Sequence, residues 1–299
     1  MTEVYSQVLV NVLRRIQITY AAFFRRGHGF PRFKSLARYR SFTYPQGGFS
    51  VPGQYLQMSK IGNVKLKLHR PIAGEIKTLT VKNENGRWYA CFACEIVAES
   101  LPPSSLAVGI DLGITSFATL SDGTVIDNPR WYKRAQKKLR IAQRRVARRT
   151  KGSNRRRKAV QILGRIHQHI FNQRSDFQHK LSRALIASYG AIFVEDLQIN
   201  DLLTERWFAK SILDAAWSSF IEKLSYKAES AGRLLMKVDP RGTSDRCPCG
   251  NSVPKTLKDR WHKCTACGLN TTRDHAAALE ILRLGLSLQA SSVTLVAFV

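Results

Sequence analysis

Acidic residues are scarce in this chain of 299 residues: 21 Asp and Glu stand against 48 Lys and Arg, giving a net charge of +27. Such a field disfavours basic partners and attracts polyanions, so nucleic acid is the partner class the composition points to. Absent too is any run of about 18 apolar residues able to span a bilayer. The first 30 residues lack the pattern of a secretory leader. The expectation is a cytoplasmic, nucleoid-associated protein with no membrane partner. Cysteines number only six, and without a leader they do not suggest a disulfide scaffold. No internal repeat stands out. What is plentiful is apolar residue, 44% of the chain, enough at this length to build cores for two domains.

Along the chain, Tyr5, Val8, Val12, Leu13, Ile16, Tyr20 and Phe23 recur at helical spacing and end at Gly27 and Gly29, predicting an amphipathic helix over 4–26. The next stretch, GFPRFKSLARYRSFTYP, alternates aromatics with Arg32, Lys34, Arg38 and Arg40. That composition suits stacking on bases and gripping phosphates, or else a strand-rich segment with a basic solvent face. From 75 to 97 the apolar period becomes two, and NENG has the composition of a hairpin turn, so a small β-domain follows. Cys91 and Cys94 on its second strand read as core thiols.

LPPSS at 101–105 reads as a linker. LAVGIDLG then predicts a strand leading into the hairpin TSFATLSDGTVID. Residues 133–183 hold 18 Lys or Arg and a single acid, Asp176, with apolar punctuation at Leu139, Val146, Leu163, Ile166, Ile170, Phe177 and Leu181. A basic helical hairpin broken at RRTKGSNRRRK is the expected form, with Arg144, Arg145, Arg148, Arg149, Arg155, Arg156 and Arg157 as candidate phosphate contacts. YGAIFVEDL predicts a buried strand ending in acids, 209–229 a helix, and RLLMKVDP another strand. Trp207, Phe208 and Trp217 near the second acid read as core aromatics, with base stacking as the alternative.

Two constellations carry chemistry. Cys247-x-Cys249, fourteen intervening residues, then Cys264-x-x-Cys267 has the spacing of two knuckles converging on tetrahedral zinc. Four thiolates leave no open position for water, so this zinc is structural, and His262 flanks it, with a role as substitute ligand as the alternative. The catalytic candidates are Asp111 on a strand between Gly109 and Gly113, Glu195 at the end of AIFVE, and Asp274 at the head of an apolar helix. Singly they read as a turn residue, an exposed strand end and a helix-dipole acid. Together, in so basic a protein, they suggest a Mg²⁺ cage, since two such ions about 4 Å apart can activate water and stabilise a leaving oxygen.

VGIDLGITSFATLSDG, AIFVEDLQI and CPCG…CTACGLNTTRDHAAALEIL, in this order and with the basic hairpin between the first two, closely resemble the TnpB (OrfB) family. These are insertion-sequence-encoded nucleases with a RuvC-like domain, related to type V CRISPR effectors, and the resemblance spans about residues 5–285. It implies an α/β plus β chain: an RNase H-like (RuvC) domain interrupted by a zinc ribbon, preceded by a small β-barrel wedge domain and a shortened N-terminal helical segment. The corresponding domains are 1–27, the residual helical recognition segment; 28–102, the wedge; 103–242, the first part of the nuclease domain; 243–270, the ribbon; and 271–299, its last part and tail. It further implies a guide RNA from the element's end, a double-stranded DNA target, and cutting by Asp111, Glu195 and Asp274 with Mg²⁺. Arg241 and Arg273 beside the ribbon and third acid are candidate phosphate contacts, or solvated charges.

Three features depart from the family pattern: a shorter start, Ala276 where an Asn is common, and the tight Cys-x-Cys knuckle. A catalytically weak nucleic-acid-binding remnant or guided repressor is therefore the alternative reading. A transposase joining DNA ends directly fits less well, because no clear Tyr or Ser nucleophile stands in a suitable setting.

Overall fold

A computed structural model of the chain describes residues 3–35, 38–198, 209–256 and 259–296, with side chains to 291; Trp207 and Phe208 lie outside the described residues. The chain divides into two units, Met1–Val97 and Ala98–Val299.

The first unit begins with helix α1, Ser6–Arg26, which Gly27 ends in a left-handed turn at φ 64. Six short strands follow: β1 (Ser41–Tyr44), β2 (Phe49–Ser50), β3 (Tyr55–Met58), β4 (Gly62–Lys65), β5 (Glu75–Glu84) and β6 (Arg87–Glu95). They form two antiparallel sheets, β1-β5-β6 and β2-β3-β4, and ladder pairing closes neither into a ring among the described residues. Both sheets pack on one cluster, where Val8 of α1 joins Tyr44, Leu56, Met58, Leu79 and Val81. Tyr5 stacks on Tyr44 with ring centroids 5.5 Å apart. The β5–β6 turn is Asn85-Gly86, both with positive φ, as a two-residue hairpin requires. Cys91 is exposed and Cys94 half-buried, which corrects their reading as core thiols. One face of the β5–β6 ladder packs on the cluster through Ala90 and Phe92, and Cys91, of opposite parity, turns away from it. Much of α1 is likewise uncovered, with Leu13, Ile16, Ile18 and Phe24 exposed.

The second unit is built on a five-stranded sheet of order β11-β10-β7-β8-β9. Its strands are β7 (Ala107–Leu112), β8 (Ser116–Leu120), β9 (Val125–Asp127), β10 (Ala191–Glu195) and β11 (Leu234–Val238). β7, β8 and β9 form an antiparallel meander, while β10 runs parallel to both β7 and β11. Parallel strands need crossovers, and helices supply them. α2 (Trp131–Ala147) and the 35-residue α3 (Asn154–Ser188) join β9 to β10 as the expected basic hairpin, and α4 (Ala209–Ala215) and α5 (Trp217–Ala231) precede β11. The single helix predicted over 209–229 is thus broken. Ala216 turns left-handed at φ 53, and the buried Gln178 amide donates to the released carbonyls of Ala215 and Ala216 at 3.0 and 3.1 Å. Tertiary hydrogen bonding offsets a local conformation that alanine disfavours.

Both faces of the sheet are covered, which explains why AIFVE is buried throughout. Val108, Ile110, Leu112, Ile192 and Val194 point to one face, against Leu185, Phe220 and Leu224; Trp217 is buried in this cluster. Residues of the opposite parity, Ala191 and Phe193, face the final helix α6 (Arg273–Val296) with Ile281 and Val238. Two glycines set how closely that helix lies. A Cβ on Gly109 would strike the backbone of Ala278 and Leu282, and one on Gly285 would strike the Phe193 ring. Between β11 and α6 comes a small loop-rich hairpin of β12 (Trp261–Lys263) and β13 (Asn270–Thr272). Among the described residues no helix is long and apolar enough to cross a membrane.

Candidate functional site

Strand parity places the first two acids. Asp111 and Glu195 directly follow Ile110 and Val194, the last paired positions of the parallel β7–β10 ladder. Both share the parity of Phe193 and so project to the face covered by α6. Asp274 stands in the first turn of that helix. Asp111 and Glu195 therefore stand where the parallel strands end, the edge at which open α/β sheets bind ligands, and Asp274 lies near enough for its charge to act on Asp111.

Their electrostatics reflect the gathering. Burial pushes the Asp111 carboxyl well above the usual range, and the charges of Glu195 and Asp274 add to the rise, against a small opposing effect of the Arg273 guanidinium. Glu195, 7% exposed, is also raised by burial, and a hydrogen bond from the Thr243 hydroxyl opposes the rise. Desolvated, mutually repelling carboxylates are relieved by a proton or a cation, so this donor set fits a hard divalent ion such as Mg²⁺. The oxygens are nevertheless less tightly gathered than the sulfurs described next. Among the described residues, the cysteines form the one group of three or more ligating side chains converging on a single point.

Cys247, Cys249, Cys264 and Cys267 place their sulfurs within 4.8 Å of one another. Tetrahedral coordination with metal–sulfur bonds near 2.3 Å would put sulfurs about 3.8 Å apart, and the shortest pairs here are 3.5 Å for Cys247–Cys267 and 3.7 Å for Cys249–Cys264. The cluster fits a metal without rearrangement. Each knuckle ends in a glycine of positive φ, Gly250 at 90° and Gly268 at 76°. Turn bonds close them: Gly250 N–H donates to Cys247 at 2.8 Å and Gly268 N–H to Cys264 at 3.0 Å. Burial lifts the Cys247 thiol to about 12, while the backbone N–H of Cys267 leads the effects that draw Cys264 down to about 6. His262 is fully buried, outside the four-sulfur set, and neither ring nitrogen has a hydrogen-bond partner.

The basic candidates separate. Arg144, Arg145, Arg148 and Arg149 line one groove with Ile141, of about 660 Å³. Arg155 and Arg157 are exposed. Arg156 is half-buried and partly engaged: its Nη1 donates to the carbonyls of Val146 and Arg149 at 2.9 and 3.0 Å, closing the α2–α3 turn. Arg32, Lys34, Arg38 and Arg40 are exposed on irregular chain before β1, and Lys34 sits 5.8 Å over the Tyr39 ring. Arg273 donates to the carbonyl of Thr256 at 3.0 Å, tying the ribbon to the third acid.

Sequence reasoning missed several supporting residues. Thr243 bonds Glu195. His275 pins the start of α6 through Thr271 at 2.9 Å and the Ser121 carbonyl at 3.2 Å. Asp214 caps α2 from a distance, accepting from the N–H groups of Tyr132 and Lys133 at 2.9 and 3.4 Å and pairing with Arg174 at 3.0 Å. That helix has no side-chain cap of its own, because Arg130 at its N-cap carries donors and no acceptor. Apart from Thr271, four residues from His275, each partner is remote in sequence, and no local spacing announces it. Ala276 is fully buried.

Comparison with known proteins agrees along the chain. The profile of the OrfB_IS605 family, described as "Probable transposase", matches residues 77–206, and that of the Cas12f1-like TNB domain matches 217–281. A Streptomyces pristinaespiralis protein named "Putative RNA-guided DNA endonuclease" is 36% identical over 97% of this chain and 74% of its own length. An Escherichia coli K12 protein, "Putative RNA-guided DNA endonuclease InsQ", is 31% identical over 94% and 74%. In fold, the chain is similar to that of a Cas12f1–sgRNA–target DNA complex, with a TM-score of 0.57 and 14% identity over 90% of this chain and 69% of that one. By its sequence relatives, the chain belongs to the TnpB (OrfB) family.

Proposed function

We propose that the protein is an RNA-guided DNA endonuclease of a transposable element, hydrolysing phosphodiester bonds at Asp111, Glu195 and Asp274. The observation that supports this reading is the placement of Asp111 and Glu195 at the ends of β7 and β10, with Asp274 in the first turn of α6 and the charges of Glu195 and Asp274 both acting on Asp111. The names of its relatives support the same activity. In this reading, residues 103–242 and 271–299 form an RNase H-like (RuvC) domain, 243–270 a zinc ribbon, 28–102 the wedge and 1–27 a helical recognition segment.

The three carboxylates would hold Mg²⁺, which when bound supplies activation of water and stabilisation of the leaving oxygen. The chain's residues do the remainder. α6 seals the site from one side, so that the carboxylates lie in a poorly solvated pocket where their charge acts strongly. The arginines of the α2 groove would grip phosphates and hold the strand in register, carrying no sequence information themselves. Base pairing with a guide RNA would read sequence, and the protein would read duplex shape and a short flanking motif. Zinc held by the four thiolates would be structural, since the set leaves no open position.

The test is cleavage of a plasmid library with randomised flanks by the protein purified with its co-expressed element RNA, in Mg²⁺ and in EDTA, beside Asp111→Ala. Cutting is expected only with Mg²⁺, RNA and Asp111, with the variant down by at least about 1000-fold, the equivalent of several kcal/mol of lost transition-state stabilisation. Cutting by Asp111→Ala at the wild-type rate sinks the assignment. Retained RNA binding without cutting would establish the guided binder instead.

A further inference from the structure

Thr243 stands at the junction between sheet and ribbon. β11 ends beside Glu195, which pairs in register with Val238, and the chain then reverses through Pro240, Arg241 and Gly242. Gly242 takes φ 81, and Asp239 accepts from the Arg241 N–H at 3.0 Å. The N–H groups of Asp245 and Arg246 donate back to Gly242 at 3.0 and 2.9 Å. This turn folds over the end of β10 and sets Thr243 at 2% exposure, its hydroxyl donating to Oε1 of Glu195. Four residues on, Cys247 begins the ribbon. The ribbon grips the turn in return, through the Val253 N–H to Asp245 at 2.7 Å and the Lys255 ammonium to the Ser244 carbonyl.

A threonine hydroxyl has one hydrogen to give. Two acceptors compete for it, Glu195 and the Pro240 carbonyl at 3.0 Å. The carboxylate carries charge and is the stronger acceptor. The bond therefore restrains a desolvated glutamate whose side-chain torsions would otherwise be free to swing. When the glutamate is removed, the Pro240 carbonyl still receives the hydrogen, and the turn keeps its local bond.

We propose that Thr243 is a positioning residue, its buried hydroxyl fixing the Glu195 carboxylate in the orientation that binds a divalent cation. This rests on the acid site proposed above and extends it to a residue that touches neither metal nor substrate. Partners of this kind, which orient a ligating carboxylate, typically carry about 10- to 100-fold in metal affinity. Valine matches threonine in shape and lacks the hydroxyl; serine keeps the hydroxyl and lacks the methyl.

The experiment is calorimetric titration of Mn²⁺ into the zinc-loaded, full-length protein without nucleic acid, for wild type, Thr243→Val, Thr243→Ser, Glu195→Gln and the Val–Gln double variant. Zinc content and circular dichroism check folding. Thr243→Val is expected to weaken Mn²⁺ by about 10- to 100-fold, with Thr243→Ser close to wild type. The valine change is expected to add nothing once Glu195 is Gln, because the two act through one bond. Wild-type affinity in Thr243→Val, loss in Thr243→Ser equal to that in valine, or an undiminished valine effect in the Gln background each overturns the proposal while leaving the acid site standing. Should the valine variant fail to fold, Thr243→Ala takes its place: the same weakening is expected, and wild-type affinity overturns the proposal. Failure of the wild type itself to bind Mn²⁺ overturns the acid site as a metal centre, and this inference with it.

Discussion

Cys247 and Cys267 are twenty positions apart, whereas Asp111 and Asp274 are separated by 163. The cysteine cluster is assembled by two local turns, each closed by its own glycine and backbone bonds. The acid site has no local assembly. It exists because β10 lies parallel to β7 and because α6 presses on the face where Asp111 and Glu195 project. Thiols hydrogen-bond one another and tolerate close approach, while carboxylates repel, and the sulfurs are accordingly the tighter group. One site therefore depends on turn chemistry and the other on helix–sheet packing. Bonds of Thr243, Arg273 and His275 join the two regions.

That contrast can be broken from either side. Cys264→Ser should cost most, since structural zinc in small domains is worth about 10 kcal/mol or more. Zinc content by mass spectrometry is expected to fall from one per chain to none, with the far-ultraviolet signature of the sheet domain largely kept. Loss of that signature too would mean the sheet depends on the ribbon.

Gly109→Ala attacks the other construction. The added methyl meets backbone of α6, so the helix must lift, at a cost of about 1–3 kcal/mol. Thermal unfolding should report that loss, and Mn²⁺ binding should weaken while zinc content stays at one. Gly285→Ala, against the Phe193 ring, is expected to give a milder version, because a side chain yields more readily than backbone.

A smaller effect has the opposite sign. The Asp111 and Glu195 carboxyls are raised in the folded protein, so in that state they hold protons to higher pH than when unfolded. Their contribution favours folding at acid pH and turns against it as pH rises through the folded values. Asp111→Asn removes one of the repelling charges and should raise the melting temperature of the zinc-loaded, Mg²⁺-free protein by about 2–4 °C at pH 8, with a lesser gain at pH 5. An equal gain at both would point to packing as the cause.

Least dramatic, and confined to the basic hairpin, Arg144→Ala with Arg148→Ala should lower the slope of log affinity against log salt by about 1.4–1.8 on DNA and RNA of any sequence. Arg156→Ala should lower it less and also cost stability, because its Nη1 holds the α2–α3 turn.

Particular residues mark how far the sequence could be read. The knuckles, the Asn85-Gly86 hairpin and the basic helices follow from spacing and composition within a few turns of chain, and the fold bears them out. Cys91 was misread because alternation tells which residues share a face but not which face is covered. The break at Ala216 was hidden because alanine favours helix, and the Gln178 amide that stabilises the break comes from another helix. Asp214, capping a helix more than eighty residues away, and Thr243, restraining Glu195 across 48, carry no local pattern at all.

The sequence by itself determined the net charge, most of the elements and the two cysteine knuckles, because each depends on composition or on short-range backbone geometry. Tertiary structure alone decided that the charges of Glu195 and Asp274 act on Asp111, and that the Thr243 hydroxyl at the edge of the ribbon bonds Glu195. Those outcomes depend on which strand lies beside which and how closely a helix can approach a sheet, and such long-range contacts leave no period in the chain.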